Sequence, residues 1–460
     1  MDSGPRRIYP SNKKLKMKLR SLFYIIPWLI GLFGPVPLNA QVEEVLSKDQ
    51  AMAQMLSANF GIQMAQNEQQ QAKNNASILN SGYLPGIAIS SGASYDLQDQ
   101  EVTFRDGTLN VVDGAETKRL NAALNLNYTL FDGMGRYYNY KRLKQTEQLS
   151  GLQVRATVES TLLQLFTVYF ELARLTENEA VLQSVLENTK ARLTRARYGF
   201  DFGQNTKLDV LNAEVDLVND SIALNNNAQQ LVNTRRDLAV LLNDDLNRVF
   251  AVDTSVSFLD ELTLDALQQK AKTDNVRILI AESNKQLSAF GVQVQRALEL
   301  PRLGLTGAYG WNEGIFPATG FASKNISSGF SAGLQLSWNI FDGGSNRTGL
   351  KNSKISLINQ ELALEEIKVQ VGRDMANAYG DFLNRKRTYE LLERSIITAR
   401  NNYERSLSGY RLGQLTSLEL RQAQINLLNA KMNANMAKYQ AKLSELTYLQ
   451  SCGQLLNVPF

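Results

Sequence analysis

The sequence predicts an α+β membrane protein made of a duplicated unit, each copy a strand pair followed by a long antiparallel helical coiled-coil hairpin. Three observations predict this. Short runs alternate between apolar and polar residues, no proline interrupts the chain from Arg136 to Tyr198, and the whole pattern occurs twice in the same order.

The duplication organises the rest. Leu126-Asn127-Tyr128-Thr129-Leu130-Phe131-Asp132-Gly133 recurs as Leu336-Ser337-Trp338-Asn339-Ile340-Phe341-Asp342-Gly343, an offset of 210 residues. Downstream the same offset relates Tyr169 to Tyr379, Gly199 to Gly409, Gly203-Gln204 to Gly413-Gln414, Thr206 to Thr416 and Ala213 to Ala423. Upstream, Leu84-Pro85 matches Leu300-Pro301 at an offset of 216, which also relates Asn59 to Asn275 and Ile62 to Ile278. Ordered matches over both halves are the signature of a repeat. The expected division is a leader over 1–40, repeat 1 over 41–255 and repeat 2 over 256–460. Each repeat holds a helix (Lys48 to about Asn80; Leu264 to about Leu298), a β-hairpin (84–131; 300–341) and a long helical hairpin with its tip at 199–206 or 409–416. The six-residue change of offset predicts a longer surface loop in the first copy.

In the strand before Phe131, Ala122, Leu124, Leu126, Tyr128 and Leu130 alternate with Ala123, Asn125, Asn127 and Thr129. The second copy sets Ala332, Leu334, Leu336, Trp338 and Ile340 against Gly333, Gln335, Ser337 and Asn339. The preceding strand alternates likewise through Leu303, Leu305, Tyr309 and Trp311, and through Ile87, Ile89 and Tyr95 in copy one. Side chains alternate faces along a strand, so every run has one apolar and one polar face. A soluble half-buried sheet would give this pattern too. A membrane barrel is favoured because runs of about ten residues suit a tilted spanning strand and the aromatic residues sit late in their strands. Four strands cannot close a barrel, and lipid does not tolerate an open edge, so sister copies must supply the missing strands.

The helices are too long for a globular domain: Arg136 to Tyr198 alone spans about 95 Å at 1.5 Å per residue. Apolar residues step by three and four through Val158, Leu162, Leu165, Tyr169 and Leu172, and again from Ile425 to Leu446, as in coiled coils. Asn225-Asn226-Asn227 and Asn433 to Asn435 dilute the seams, which suits helices lining water on one side.

Arg6, Arg7, Lys13, Lys14, Lys16, Lys18 and Arg20, an apolar run from Leu22 to Leu38 and the small Ala40 read as a secretory leader, with Met17 an alternative start. A membrane-anchor helix is the competing reading, opposed by Pro27, Pro35 and Pro37. The chain has 49 Lys+Arg against 45 Asp+Glu, but the leader holds seven of the bases and only Asp2 of the acids. What remains is slightly acidic, with no basic patch for nucleic acid. Cys452 is the only cysteine and there is no histidine, which removes disulfides, histidine triads and histidine metal sites. No cofactor, metal or catalytic residue is expected.

The order and duplication of these motifs resemble the TolC-like outer-membrane efflux protein family (the outer-membrane factors). The resemblance rests on Phe131-Asp132-Gly133, Phe341-Asp342-Gly343, and the turns Phe200-Asp201-Phe202-Gly203 and Tyr410-Arg411-Leu412-Gly413. It implies a homotrimer with a twelve-stranded barrel in the outer-membrane lipid, four strands per subunit, continued by an α-helical tunnel across the periplasm. It also implies docking onto a periplasmic adaptor (membrane fusion) protein and an inner-membrane transporter, for efflux or type I secretion. The alternative is a trimeric, barrel-anchored coiled-coil surface scaffold or adhesin, which would be expected to have one anchor and one stalk. An envelope hydrolase has no clustered carboxylate pair to support it.

Gly199, Gly203, Gly409 and Gly413 fall where the long helices reverse and can take the positive φ such turns need, and Thr206 and Thr416 stand where N-caps would. A purely structural turn and an adaptor-contact tip are both consistent with these residues, and the resemblance implies the second. Asp209 and Glu419 occupy equivalent positions just beyond the tips, and in a trimer each would form a ring of carboxylates that attracts cations. A solvated helix face is the competing reading. The resemblance implies a second acid three positions beyond Glu419, where this chain has Gln422 beside Arg421. Asp209, Glu419, Arg421 and Gln422 are therefore the candidate periplasmic gate.

Overall fold

The computed structural model describes residues 45–259, 273–317 and 322–457. The expected leader, and the first part of the helix expected from Leu264, lie outside them. A two-residue strand β1 (Val45–Leu46) opens the described chain, followed by α1 (Lys48–Ala58) and α2 (Phe60–Asn75). The single helix expected up to about Asn80 is thus two. Asn59 ends α1 in an extended conformation, and its side chain accepts hydrogen bonds from Gly61 and Ile62 to start α2. Asn275, its counterpart at the 216 offset, caps the second-copy helix in the same way.

Strands β2 (Gly86–Thr103) and β3 (Leu109–Phe131) lead into α3 (Gly135–Asp201), which returns as α4 (Lys207–Leu242). After β4 (Ala251–Val252), the second copy gives α5 (Val276–Ala297), β5 (Arg302–Ile315), β6 (Lys324–Ser337), α6 (Ser345–Arg411) and α7 (Ser417–Ser451). Helices α3 and α6 both have 67 residues, each about 100 Å long. Helix α2 packs on α3, α5 lies against both α3 and α6, and α7 crosses from α6 to α3. No described helix is long and apolar enough to cross a membrane.

The four long strands form one antiparallel sheet in the order β2-β3-β5-β6. They are longer than the expected runs of about ten, with 18, 23, 14 and 14 residues. The extra length of the first copy is strand, not loop: β2 and β3 stay paired as far as Thr103 and Leu109, with one irregularity between Gln98 and Gln100. Longer strands also move Tyr309 to the middle of β5, whereas Tyr128 and Trp338 do lie at the end that joins the helices. Register aligns the faces across the sheet. Ile89 sits opposite Leu124, Leu124 opposite Tyr309, and Tyr309 opposite Phe330; on the other face Ala88, Asn125, Ala308 and Ser331 form a parallel row. The apolar face has nothing over it in one subunit: Ile89 is 81% exposed and Phe330 75%.

The core lies midway along the helices, where Phe166, Tyr169, Phe170 and Leu172 of α3 meet Tyr439, Leu446, Tyr448 and Leu449 of α7. Tyr169 ties the start of the chain to the inter-repeat connection. Its hydroxyl donates to the Leu46 carbonyl at 2.7 Å and accepts from the Asp253 amide at 2.9 Å, beside the parallel β1–β4 pair. Helix α7 holds the same connection through Lys442, which donates to the Ser257 carbonyl and pairs with the buried Glu445, itself an acceptor for the Leu259 amide.

Candidate functional site

Both helical hairpins end in the same turn, at the opposite end of the long helices from the sheet. Helix α3 closes with the Gln204 amide donating to the Gly199 carbonyl (2.7 Å) and the Gly203 amide to the Phe200 carbonyl (3.0 Å). Helix α6 repeats this with Gln414 to Gly409 (2.8 Å) and Gly413 to Tyr410 (3.1 Å). Gly203 and Gly413 take φ of 73° and 74°, the left-handed conformation that terminates helices. Gly199 and Gly409 do not share it, contrary to the sequence expectation. They are helical and small for a different reason: a Cβ on Gly199 would lie 2.3 Å from the Asn205 side chain, and one on Gly409 3.0 Å from Leu415.

The acids beyond the tips have local partners. Asp209 accepts from the Thr206 amide (2.9 Å) and hydroxyl (2.7 Å), and the Asp209 amide donates back to the same hydroxyl. Glu419 makes the same box with Thr416, at 2.7 and 2.8 Å. Each is the third helical residue after a threonine N-cap, where it satisfies free amides and complements the positive end of the helix dipole. Hydrogen bonds from the Thr416 backbone and hydroxyl hold the Glu419 carboxyl below the usual range. Gln422 donates to Asn426 along the exposed face of α7.

Arg421 turns the other way and enters a largely buried charged cluster shared by three helices. Its guanidinium grips Asp220 of α4 with two bonds of 2.8 Å and lies 3.4 Å from Asp216. Asp220 also accepts from Thr189 of α3 at 2.7 Å, and Asp216 pairs with Arg192 of α3. Gln424 of α7 adds a bond to the Val185 carbonyl. Only 11% of the Arg421 side chain and 7% of Asp220 are exposed. Two-pronged arginine–carboxylate pairs are among the strongest polar links, so this cluster binds the two helical hairpins together close to their tips. Farther up, Lys438 pairs with Glu177 at 2.7 Å and Asn435 bonds Asn178. The amide-diluted seam of α7 is thus a polar seam against α3.

The threonine caps were legible in the sequence; Asp209 and Glu419 were weighed there as carboxylate rings or a solvated face, although Thr-x-x-Asp and Thr-x-x-Glu are the spacing of a capping box. Asp216, Asp220 and Arg192 carried no comparable signal, because nothing in linear spacing pairs an arginine with an aspartate 201 residues away. At the tips, Arg195 of α3 donates to the Arg411 carbonyl and lies over the Tyr410 ring, a second link between the hairpins. Among the described residues no group of histidine, cysteine, aspartate and glutamate could hold a metal ion.

Comparison with known proteins places this geometry. The chain is 22% identical over 384 residues to the outer membrane protein TolC of Vibrio cholerae, covering 82% of this chain and 83% of that protein. It is 25% identical over 391 residues to the protein CyaE of Bordetella pertussis, covering 81% and 77%. Among solved structures, the CmeC outer membrane channel of Campylobacter jejuni superposes with a TM-score of 0.74 at 19% identity, over 89% of this chain and 86% of that one. The outer-membrane channel OprN gives 0.72 at 21% identity, over 88% and 90%. These similarities give the surface-scaffold alternative no support. The outer membrane efflux protein model matches residues 51–244 and 267–454, and the chain belongs to that family.

Proposed function

We propose that this outer-membrane channel is a passive homotrimeric duct for efflux or type I secretion, fed by an inner-membrane transporter through a periplasmic adaptor. The observation that carries this is the continuity of the sheet with the helices. A four-stranded sheet with one bare apolar face runs directly into two helices of about 100 Å, far longer than a bilayer of roughly 40 Å is thick. Three copies supply twelve strands and leave no edge in lipid. The small and amide residues of the other face line the lumen, and the helices carry that lumen through the periplasm.

In this reading the helical tips are both docking site and gate. Gly199, Gly203, Thr206, Gly409, Gly413 and Thr416 shape the surface offered to the adaptor. Asp209 and Glu419, fixed by their caps, present three-fold carboxylate rings at the entrance. Arg421 acts through its grip on Asp220 and Asp216, and opening requires that grip to break so that one hairpin can move against the other. A shift between two packed arrangements is the usual form of such a gate. The energy for transport comes from the partner pump.

Planar-bilayer conductance tests the gate. Arg421→Ala is expected to conduct more than the parent and to hold its open level longer, while Glu419→Ala is expected to weaken cation selectivity. An Arg421→Ala channel as closed as the parent removes the clamp from the gate, and unchanged selectivity in Glu419→Ala removes the ring. Single cysteines at Phe202 and Leu412, in a Cys452→Ser background, are expected to crosslink to the adaptor; no adduct from either tip removes the docking role.

A further inference from the structure

We propose that the first turns of α3 form a binding site for anionic phospholipid headgroups in the periplasmic leaflet of the outer membrane, an inference that rests on the barrel reading. Strand β3 ends at Phe131 and α3 begins at Gly135, so these turns stand where the hydrocarbon layer gives way to headgroups. Their first ten residues carry Arg136, Lys141, Arg142 and Lys144 and no acid; Glu147 is the first. Only Arg136 lies in the first turn, where a cation opposes the helix dipole, so helix stability does not explain it. Lys141 and Lys144 recur as Lys351 and Lys354 at the 210 offset, again with no acid in the first ten residues of α6, although few of their neighbours recur.

Aromatic rings pack against two of these charges, Arg136 and Lys141, and one ring belongs to the apolar face of the sheet. The Arg136 guanidinium lies 5.4 Å from the centre of the Tyr83 ring and 5.9 Å from that of Tyr128, a member of the apolar face. Tyr140 stands edge-on to Tyr83 at 6.2 Å. Lys141 lies 4.6 Å over the Tyr137 ring, and Tyr138 stands edge-on to Tyr137 at 5.2 Å. Tyr137, Lys141 and Lys144 follow at steps of four and three, one stripe of the helix. Tyrosines of this kind anchor proteins at the membrane interface, and basic residues beside them attract anionic lipid.

The bonds within the cluster separate scaffold from site. Arg136 is used internally: it donates to the Gly82 and Leu130 carbonyls and pairs with Asp132. Lys144 pairs with Glu147 at its exposed surface, and Arg142 bonds Asn139. Among the described residues neither Lys141 nor Arg142 is paired with a carboxylate, and both are exposed. Strand β3 is an interior strand, so α3 leaves the sheet away from its edges, flanked by α2 and α5 of its own subunit. The cluster therefore lies away from the sheet edges, where a second copy would pair.

The test uses the leader-free trimer in bilayers of mixed phosphatidylglycerol and phosphatidylcholine, with spin-labelled lipids reporting which headgroup the protein retains. The parent is expected to prefer phosphatidylglycerol, and high salt to abolish the preference. The preference should fall about fivefold for each cation removed in Lys141→Gln, Arg142→Gln and Lys144→Gln. Lys141→Arg with Lys144→Arg should keep it, and so should Lys190→Gln on the distant half of α3. The Arg pair and the salt series decide the matter even where the Gln variants assemble poorly. A parent with no headgroup preference, or Gln variants with the parent's preference, overturns the proposal and leaves the channel intact. Failure of the parent to enter bilayers overturns the barrel reading as well.

Discussion

Helices α3 and α6 occupy equivalent places in the two repeats and have the same length of 67 residues, yet they meet their surroundings differently. Helix α3 buries Leu162, Leu165, Phe166, Tyr169, Phe170 and Leu172 in the middle of the subunit. Helix α6 buries only Leu364, Val371, Ala378 and Phe382, and leaves Ile355, Ile358, Leu362, Val369, Leu391 and Ile397 more than half exposed. Sheet order explains the contrast. Strand β3, which feeds α3, is interior; β6, which feeds α6, is an edge. In the trimer proposed above, a helix hung from an edge strand has one side turned toward the next subunit. Its bare isoleucines and leucines are the counterpart of the bare sheet edge above, and both ask for the same partner. A single chain is thus finished around α3 and unfinished around α6.

The contrast can be broken most forcefully at α6. Ile358→Glu combined with Ile397→Glu should abolish assembly, because charges replace apolar contacts at the seam, while the isolated subunit loses little helix. Size-exclusion chromatography with light scattering, alongside circular dichroism, separates the two effects. If the trimer survives, the exposed face of α6 is not an interface. In α3 the prediction is the reverse. Phe166→Ala should cost about 3–5 kcal/mol through the cavity it leaves, read as a lower melting temperature of the subunit itself. Arg421→Ala comes next, since it strands Asp220 in a site where that side chain is 7% exposed. A loss approaching 3 kcal/mol is expected where the charge stays buried, falling as the tips splay and water enters. Increased protease cleavage between Lys207 and Arg421 would register the splaying.

The smallest effects belong to the caps. Thr206→Ala and Thr416→Ala should each cost about 1 kcal/mol. The Thr416 cap also carries a pH dependence. Glu419 is held below the ordinary carboxylate range in the fold, so its contribution is complete above that range and is lost as pH falls through the folded value. The penalty of Thr416→Ala, measured by thermal melting, should therefore shrink under acid conditions. An equal penalty at neutral and acid pH would show that Glu419 does not share in the cap.

Much of this architecture was legible because it follows from periodicity. Alternation along 122–130 and 332–337 gave the strands and their faces, although Trp338 to Ile340 lie beyond β6, and the unbroken run from Arg136 to Tyr198 gave α3 to within three residues. Strand length was not, since β2 and β3 continue past the alternating run through Asp96, Asp99, Asp113 and Glu116, which put acids on both faces. The break at Asn59 was a capping event between two helical patterns that share a period. At the tips, the turns and threonine caps could be read locally. The partners of Arg421 could not, because they depend on how α4 and α7 pack at long range.

In the proposed trimer one chain is a third of a closed wall. The mass of the protein extracted from membranes, by light scattering with the detergent contribution subtracted, tests this. Three subunits per particle are expected, with precipitation when detergent is withdrawn. A monodisperse single subunit that stays in solution without detergent would contradict it.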